Sequence, residues 1–215
     1  MFKELVPFVN LLRSVVQDLR AKKSIADQDA TISRLLETSF YLQDAVDEGE
    51  RLVNEAAPDP VAMIASLDPA EADIKLREWD LALRRQAFRL RRVSENIFDQ
   101  DFIEIVSPGL RDSLYEVIGS KWKRAVSLHG IGSALFFRTL FPLERNNEEK
   151  AHFVSVMAGE NGNLLHMKKI RRETYKLRAA LEAYTRAVND LAPSDAIMRL
   201  SRIARTKTRF RSEDT

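Results

Sequence analysis

A chain of 215 residues, 45% hydrophobic and 31% charged, has the composition of a soluble globular protein and is long enough to bury a core. Seven glycines and no cysteine argue against glycine-rich phosphate loops. The missing cysteines also exclude disulfides, thiolate nucleophiles and Cys-based zinc or iron–sulfur sites, which fits a cytoplasmic setting. Net charge is only +2, yet residues 161–215 hold 13 Lys/Arg against 6 Asp/Glu, a balance of +7 that leaves −5 for the rest.

Taken in chain order, the residues read as helices punctuated by proline and glycine. Met1 to Leu12 opens with an apolar cluster interrupted by Lys3, Glu4 and Asn10, a first core helix rather than a signal peptide. That helix is expected over about Glu4 to Lys23, with Pro7 tolerated near its start. A second runs from caps within Ser24–Asp29 to about Ala57, where Pro58 and Pro60 stop it. After a short helix over Val61–Ser66, Asp68-Pro69 reads as an N-cap followed by proline at the first helical position. The next helix could reach Ile105, roughly 36 residues or about 55 Å, and would be the spine of the fold. Ser107-Pro108-Gly109 breaks the pattern. Helices follow from Leu110 to Leu128, from Pro142 to Gly159 and from Asn163 to Leu191, and Pro193 introduces a short basic helix and tail. No apolar run approaches the ~20 residues needed to span a bilayer.

Four of these segments carry one apolar ladder each. Leu5, Phe8, Leu12, Val15 and Leu19 step by threes and fours. Ile32, Leu35, Leu42, Val46 and Val53 do so with gaps at Ser39 and Gly49. Leu76, Trp79, Leu83, Leu90, Val93 and Ile97 skip a rung at Gln86, and Ile170, Leu177, Leu181, Tyr184, Val188 and Leu191 complete the set. Each ladder makes a stripe that must be buried against other stripes. The expected fold is all-α: an elongated bundle of about seven helices in antiparallel, heptad-type packing, without a β-sheet. Residues 1–193 form the bundle, with a sub-boundary near 107–109, and residues 194–215 form the basic C-terminal helix and tail.

The chemistry-bearing residues are few. Arg145-Asn146 and His152 follow the spacing Arg-polar-x5-His. This is similar to the signature of the HEPN ribonuclease superfamily, an all-helical family. The resemblance implies a metal-independent ribonuclease in which Arg145 and His152, at a dimer interface, support attack of an RNA 2′-hydroxyl on its neighbouring phosphate. Glu149 and His152 also form half of a di-iron carboxylate site, but neither His129 nor His166 has a glutamate three residues before it, so no metal site is expected. His166-Met167-Lys168-Lys169 resembles the His-x-x-Lys of histidine phosphotransfer bundles, except that Ile170 stands where that family has glycine.

Three basic clusters remain. Arg84, Arg85, Arg89, Arg91 and Arg92 crowd the long helix, and Lys168, Lys169, Arg171, Arg172, Lys176 and Arg178 open the last long one. Arg199, Arg202, Arg205 and Arg209 share a face of the C-terminal helix, with Ile197, Leu200, Ile203 and Ala204 opposite. As solvated faces, these cations would pair with Glu78, Glu95, Glu173 and Glu182. As a functional surface, the four C-terminal arginines would attract nucleic-acid phosphates or an anionic lipid surface. The sequence thus leads to a non-enzymatic interaction or scaffold subunit without cofactor. It would dock on a partner protein or on further copies of itself, with nucleic acid as a second ligand of the basic C-terminal end. The HEPN-like ribonuclease is the alternative.

Overall fold

The computed structural model describes residues 2–22, 28–55, 63–64, 66–98, 108–116 and 167–209. Six helices and no strand occur among them: α1 (Phe2–Lys22), α2 (Gln28–Glu55), α3 (Pro69–Phe98), α4 (Pro108–Glu116), α5 (Met167–Asn189) and α6 (Ser194–Thr208). The all-α expectation holds. The segment 117–166, which includes the expected Pro142–Gly159 helix, lies outside the described residues.

Local chemistry sets the described helix starts. Asp68 caps α3 as its sequence implies: its carboxylate accepts from the backbone N–H of Ala70 at 2.9 Å and of Glu71 at 3.0 Å. The Glu71 N–H bond holds the Asp68 carboxyl below the usual aspartate range. Pro69 contributes an already fixed φ and no N–H that would need a partner. A tight turn ends α5, with Leu191 N–H donating to Val188 O at 3.1 Å, and Pro193 O accepts the first α6 bond from Ile197 N–H at 3.0 Å. Pro7 sits inside α1 near its start, where few intrahelical partners are lost.

α2 is the hub. It packs against α3, α5 and α6, while α1 packs on α5 and α4 touches α1. The bonded pairs give the directions. Ala45 with Gln86 and Glu55 with Trp79 make α3 antiparallel to α2. Leu35 with Tyr184 and Asp47 with Arg178 do the same for α5. Asp29 with Arg199 and Asp44 with Arg205 run α6 alongside α2 in the same direction.

The ladders meet in one core. Phe8, Leu12, Val15 and Leu19 of α1, Leu35, Leu42 and Val46 of α2, and Leu90, Val93 and Ile97 of α3 are buried together. Leu177, Leu181, Tyr184 and Val188 of α5 join them, with Ile197, Leu200 and Ala204 of α6. Leu76 and Trp79 form a satellite cluster with the half-buried Leu52, Met63, Ile64 and Leu83.

The rungs missing from the ladders have a physical reason. Gln86 is buried and its amide donates to the Ala45 carbonyl at 2.8 Å. Ser39 is buried with its hydroxyl 2.7 Å from that of Thr185. Tyr184, fully buried, donates to Leu35 O at 3.0 Å, and burial pushes its hydroxyl pKa upward. Each of these three polar groups enters the core where another helix supplies its partner, as the cost of an unmade buried hydrogen bond requires.

Candidate functional site

The four C-terminal arginines were the candidate nucleic-acid surface. In the structure they divide. Arg199 donates to Asp29 at 2.6 Å and Arg205 to Asp44 at 2.8 Å, both across to α2. Arg205 also lies 5.2 Å from the Phe40 ring centroid, a cation–π contact that holds its stem on the helix surface. Lys207 adds a third crossing bond, to Glu37 at 2.8 Å. Arg202 and Arg209 are exposed and have no carboxylate partner among the described residues.

The inner face of α6 also differs from its sequence reading. Ile197, Leu200, Ala204 and Thr208 are buried, but Ile203, grouped by the sequence with Ile197 and Leu200 opposite the arginines, is 46% exposed, and Met198 is 60% exposed. On a 100° wheel Ile203 lies past Leu200, away from the Ala204–Thr208 line, so the small residues and not Ile203 approach α2.

The same pattern holds for the other clusters. Arg85 and Arg89 of α3 converge on Glu48 of α2. Arg85 Nε and Nη2 reach one carboxylate oxygen at 3.0 and 2.7 Å, and Arg89 bonds the other. Arg178 of α5 clamps Glu50 and Asp47, and chiefly the Glu50 bond holds its guanidinium pKa above the usual value. Lys75 joins Glu78 and Glu55, and the Glu78 bond leads in raising its pKa. Burial alone would raise the Glu55 pKa, but bonds from Arg51, Trp79 and Lys75 outweigh it and leave this carboxyl below its usual range.

Of the carboxylates expected as partners, Glu95 does bind Arg91 and Arg92, each at 2.9 Å. Glu78 takes Lys75 instead, and Arg84 pairs with Asp80 at 2.9 Å. The cross-helix partners that sequence reasoning missed are the carboxylates of α2: Asp29, Glu37, Asp44, Asp47, Glu48, Glu50 and Glu55. A signal for them existed. Over Gln28–Glu55 seven acidic residues face only Arg34 and Arg51, a local balance of −5. An acidic hub among basic helices calls for crossing ion pairs.

One further surface is unusual. On α3, Ile74 is 59% and Leu81 39% exposed, and Phe88 is half-buried with Arg92 over its ring at 5.1 Å. The three recur at seven-residue spacing on the face opposite Trp79, Gln86 and Val93.

Arg145 and His152, the alternative catalytic pair, lie outside the described residues, as do His129 and His166. Among the described residues no group of three or more His, Asp or Glu is placed to hold a metal ion. No described helix is long and apolar enough to cross a membrane. Compared with protein-family models, curated proteins and solved structures, the chain matches none of them.

Proposed function

We propose that this protein is a non-enzymatic helical interaction or scaffold subunit of the cytoplasm that docks on a partner protein through the outer face of α3. The observation that carries this reading is the second apolar stripe, Ile74–Leu81–Phe88, on a helix whose first stripe is already buried. A single exposed apolar side chain needs no explanation, but a heptad-spaced row on one helix has the form of a coiled-coil seam.

The charges beside the stripe favour a second copy of the chain as the partner. An antiparallel two-fold axis through Leu81 sets Ile74 of one copy against Phe88 of the other. The same register brings Glu78 to Arg84 and Glu71 to Arg91. Within one chain Arg84 and Arg91 make only exposed pairs with Asp80 and Glu95, which contribute little and exchange readily. Arg77 would face Arg85, but Arg85 is already drawn to Glu48.

Sedimentation equilibrium tests the proposal. The chain should self-associate, Leu81→Asp should leave a folded monomer, and Arg84→Glu or Glu78→Arg should each weaken association. The double exchange should restore it. A wild-type monomer at every concentration would remove the two-fold reading, and binding to another protein insensitive to Leu81→Asp would remove this face as the dock. Nucleic acid remains the proposed second ligand of the C-terminal end, where Arg202 and Arg209 keep their charges free among the described residues.

A further inference from the structure

The best-furnished basic surface is not on α6. Between α1 and α5 runs a groove of about 320 Å³, lined by Arg13, Gln17 and Arg20 of α1 and by Ala183, Arg186 and Asp190 along α5 and its end. Only one of its three arginines has a carboxylate partner among the described residues: Arg20 lies 3.6 Å from Asp190, with both side chains more than 60% exposed. Such a pair is too solvated to cancel the field. Among the described residues Arg186 donates only to a backbone carbonyl, that of Glu182, at 3.3 Å, and Arg13 makes no ion pair.

The outer face of α5 extends this groove. Arg172, Tyr175, Ala179, Glu182 and Arg186 are all exposed and succeed one another along one side of the helix, four cationic or uncharged positions and one acid. Arg172 to Arg186 covers about 21 Å at the helical rise. Tyr175 is 75% exposed, the most exposed of the large hydrophobic side chains among the described residues. Arg171, Arg172 and Lys176 flank it, and none of them has a carboxylate partner among the described residues. The cations of α3 and α6 contrast with these, because most of them are already bonded to carboxylates.

We propose that the α1–α5 seam, with Arg13, Arg20, Arg172 and Arg186 as phosphate ligands and Tyr175 as a stacking platform, is a binding track for single-stranded nucleic acid. Guanidinium forks bind phosphate oxygens in two-point fashion. An exposed aromatic ring among unpaired cations offers a base the π-face that single-strand binders use. A protein partner would need an apolar centre, and among the described residues this seam exposes little beyond Ala179 and the edges of Ala183 and Ala187 beside Tyr175. A membrane would need a row of large apolar anchors, and Tyr175 is one. The inference stands apart from docking through α3, which uses another helix, and it places nucleic acid on a surface other than that of Arg202 and Arg209.

Fluorescence anisotropy of the full chain with a labelled oligothymidine of about 16 nucleotides reads the proposal directly. Binding should weaken steeply from ~50 to ~200 mM salt, because phosphate contacts release counterions. Arg13→Gln with Arg186→Gln should reduce affinity at least about tenfold, and Tyr175→Ala about tenfold while Tyr175→Phe keeps it. All five side chains altered here and in the control are exposed, so the circular dichroism spectrum should not change. Arg202→Gln with Arg209→Gln should lower affinity by a smaller factor than Arg13→Gln with Arg186→Gln. No binding at low salt overturns the proposal, and so does capture of anionic phospholipid vesicles without capture of the oligonucleotide. Loss confined to the Arg202/Arg209 variant moves the ligand to α6 and also overturns it. If the Arg13/Arg186 variant weakens binding but Tyr175→Ala does not, the seam is a general anion surface and the single-strand assignment fails.

Discussion

Arg89 of α3 and Glu48 of α2 form an ion pair almost closed to solvent, their side chains keeping 12% and 10% exposure. Arg85 completes the arrangement by holding the other carboxylate oxygen at 2.7 Å. One carboxylate is therefore shared by two guanidinium groups at the contact between these helices. Removing one partner of a buried pair costs about 3–5 kcal/mol, and the 27% exposure of Arg85 moderates this because water can reach it. Glu48→Gln should destabilise the bundle by about 2–3 kcal/mol. Chemical denaturation reads the change, and an unaltered midpoint would show that the arginines find other partners.

The two stripes of α3 make opposite predictions. Leu90 is 2% exposed within the main core, so Leu90→Ala should cost about 2–5 kcal/mol through lost burial and the cavity it leaves. Leu81, on the outer face, should change monomer stability by less than about 0.5 kcal/mol when replaced by alanine. Equal effects would mean that the outer face is packed within the chain and has no role in docking.

Most of the fold is legible in the sequence because period and burial coincide. Phe8, Leu12, Val15 and Leu19 lie on one line of α1 and are all buried. Asp68-Pro69 marks the start of α3, where the cap forms. What is not legible is which neighbour each stripe finds. The apolar rhythm of α2 gives one face, yet this helix packs against three others, and its carboxylates fix their registers. Glu48 meets Arg85 from 37 residues away and Asp29 meets Arg199 from 170 residues away, separations that no local pattern encodes. The candidate arginines of α6 were legible as a charged face but not as partly committed to α2, because a helical wheel shows direction and not the facing helix.

Glu55 gives the fold an acid-sensitive point. Its carboxyl accepts from Trp79 Nε1 at 3.3 Å and pairs with Arg51 and Lys75, and its pKa lies below the usual 4.5. A carboxyl with a depressed folded pKa stabilises above the unfolded value and loses that contribution as pH falls through the folded one. The thermal midpoint should therefore decline as pH drops below 4.5. Glu55→Gln should lower the midpoint at neutral pH and make this part of the acid decline shallower. A variant with an acid limb parallel to the wild type would assign the sensitivity to other carboxylates.

The last prediction concerns how firmly α6 is held. Pro193 interrupts the chain after α5, and the basic composition beyond it reads as a loosely attached tail whose removal would leave the thermal midpoint nearly unchanged. The contacts argue otherwise. Ile197, Leu200 and Ala204 are buried in the same core as Leu35 and Tyr184, and Arg199, Arg205 and Lys207 each bond a carboxylate of α2. Leu200→Ala alone should cost about 2–5 kcal/mol if the site does not collapse. In a chain of this size each 1 kcal/mol corresponds to about 2–4 °C in the midpoint, so deletion of residues 194–215 should lower it by several degrees and expose the α2 face. The surface pairs are expected to contribute less than the buried leucine, because Arg199 and Asp29 are both more than half exposed. Raising the salt concentration should therefore soften the effect of Arg199→Gln while leaving that of Leu200→Ala unchanged. A truncated chain that melts at the wild-type temperature would show that α6 is an appendage whose buried residues add nothing to the core.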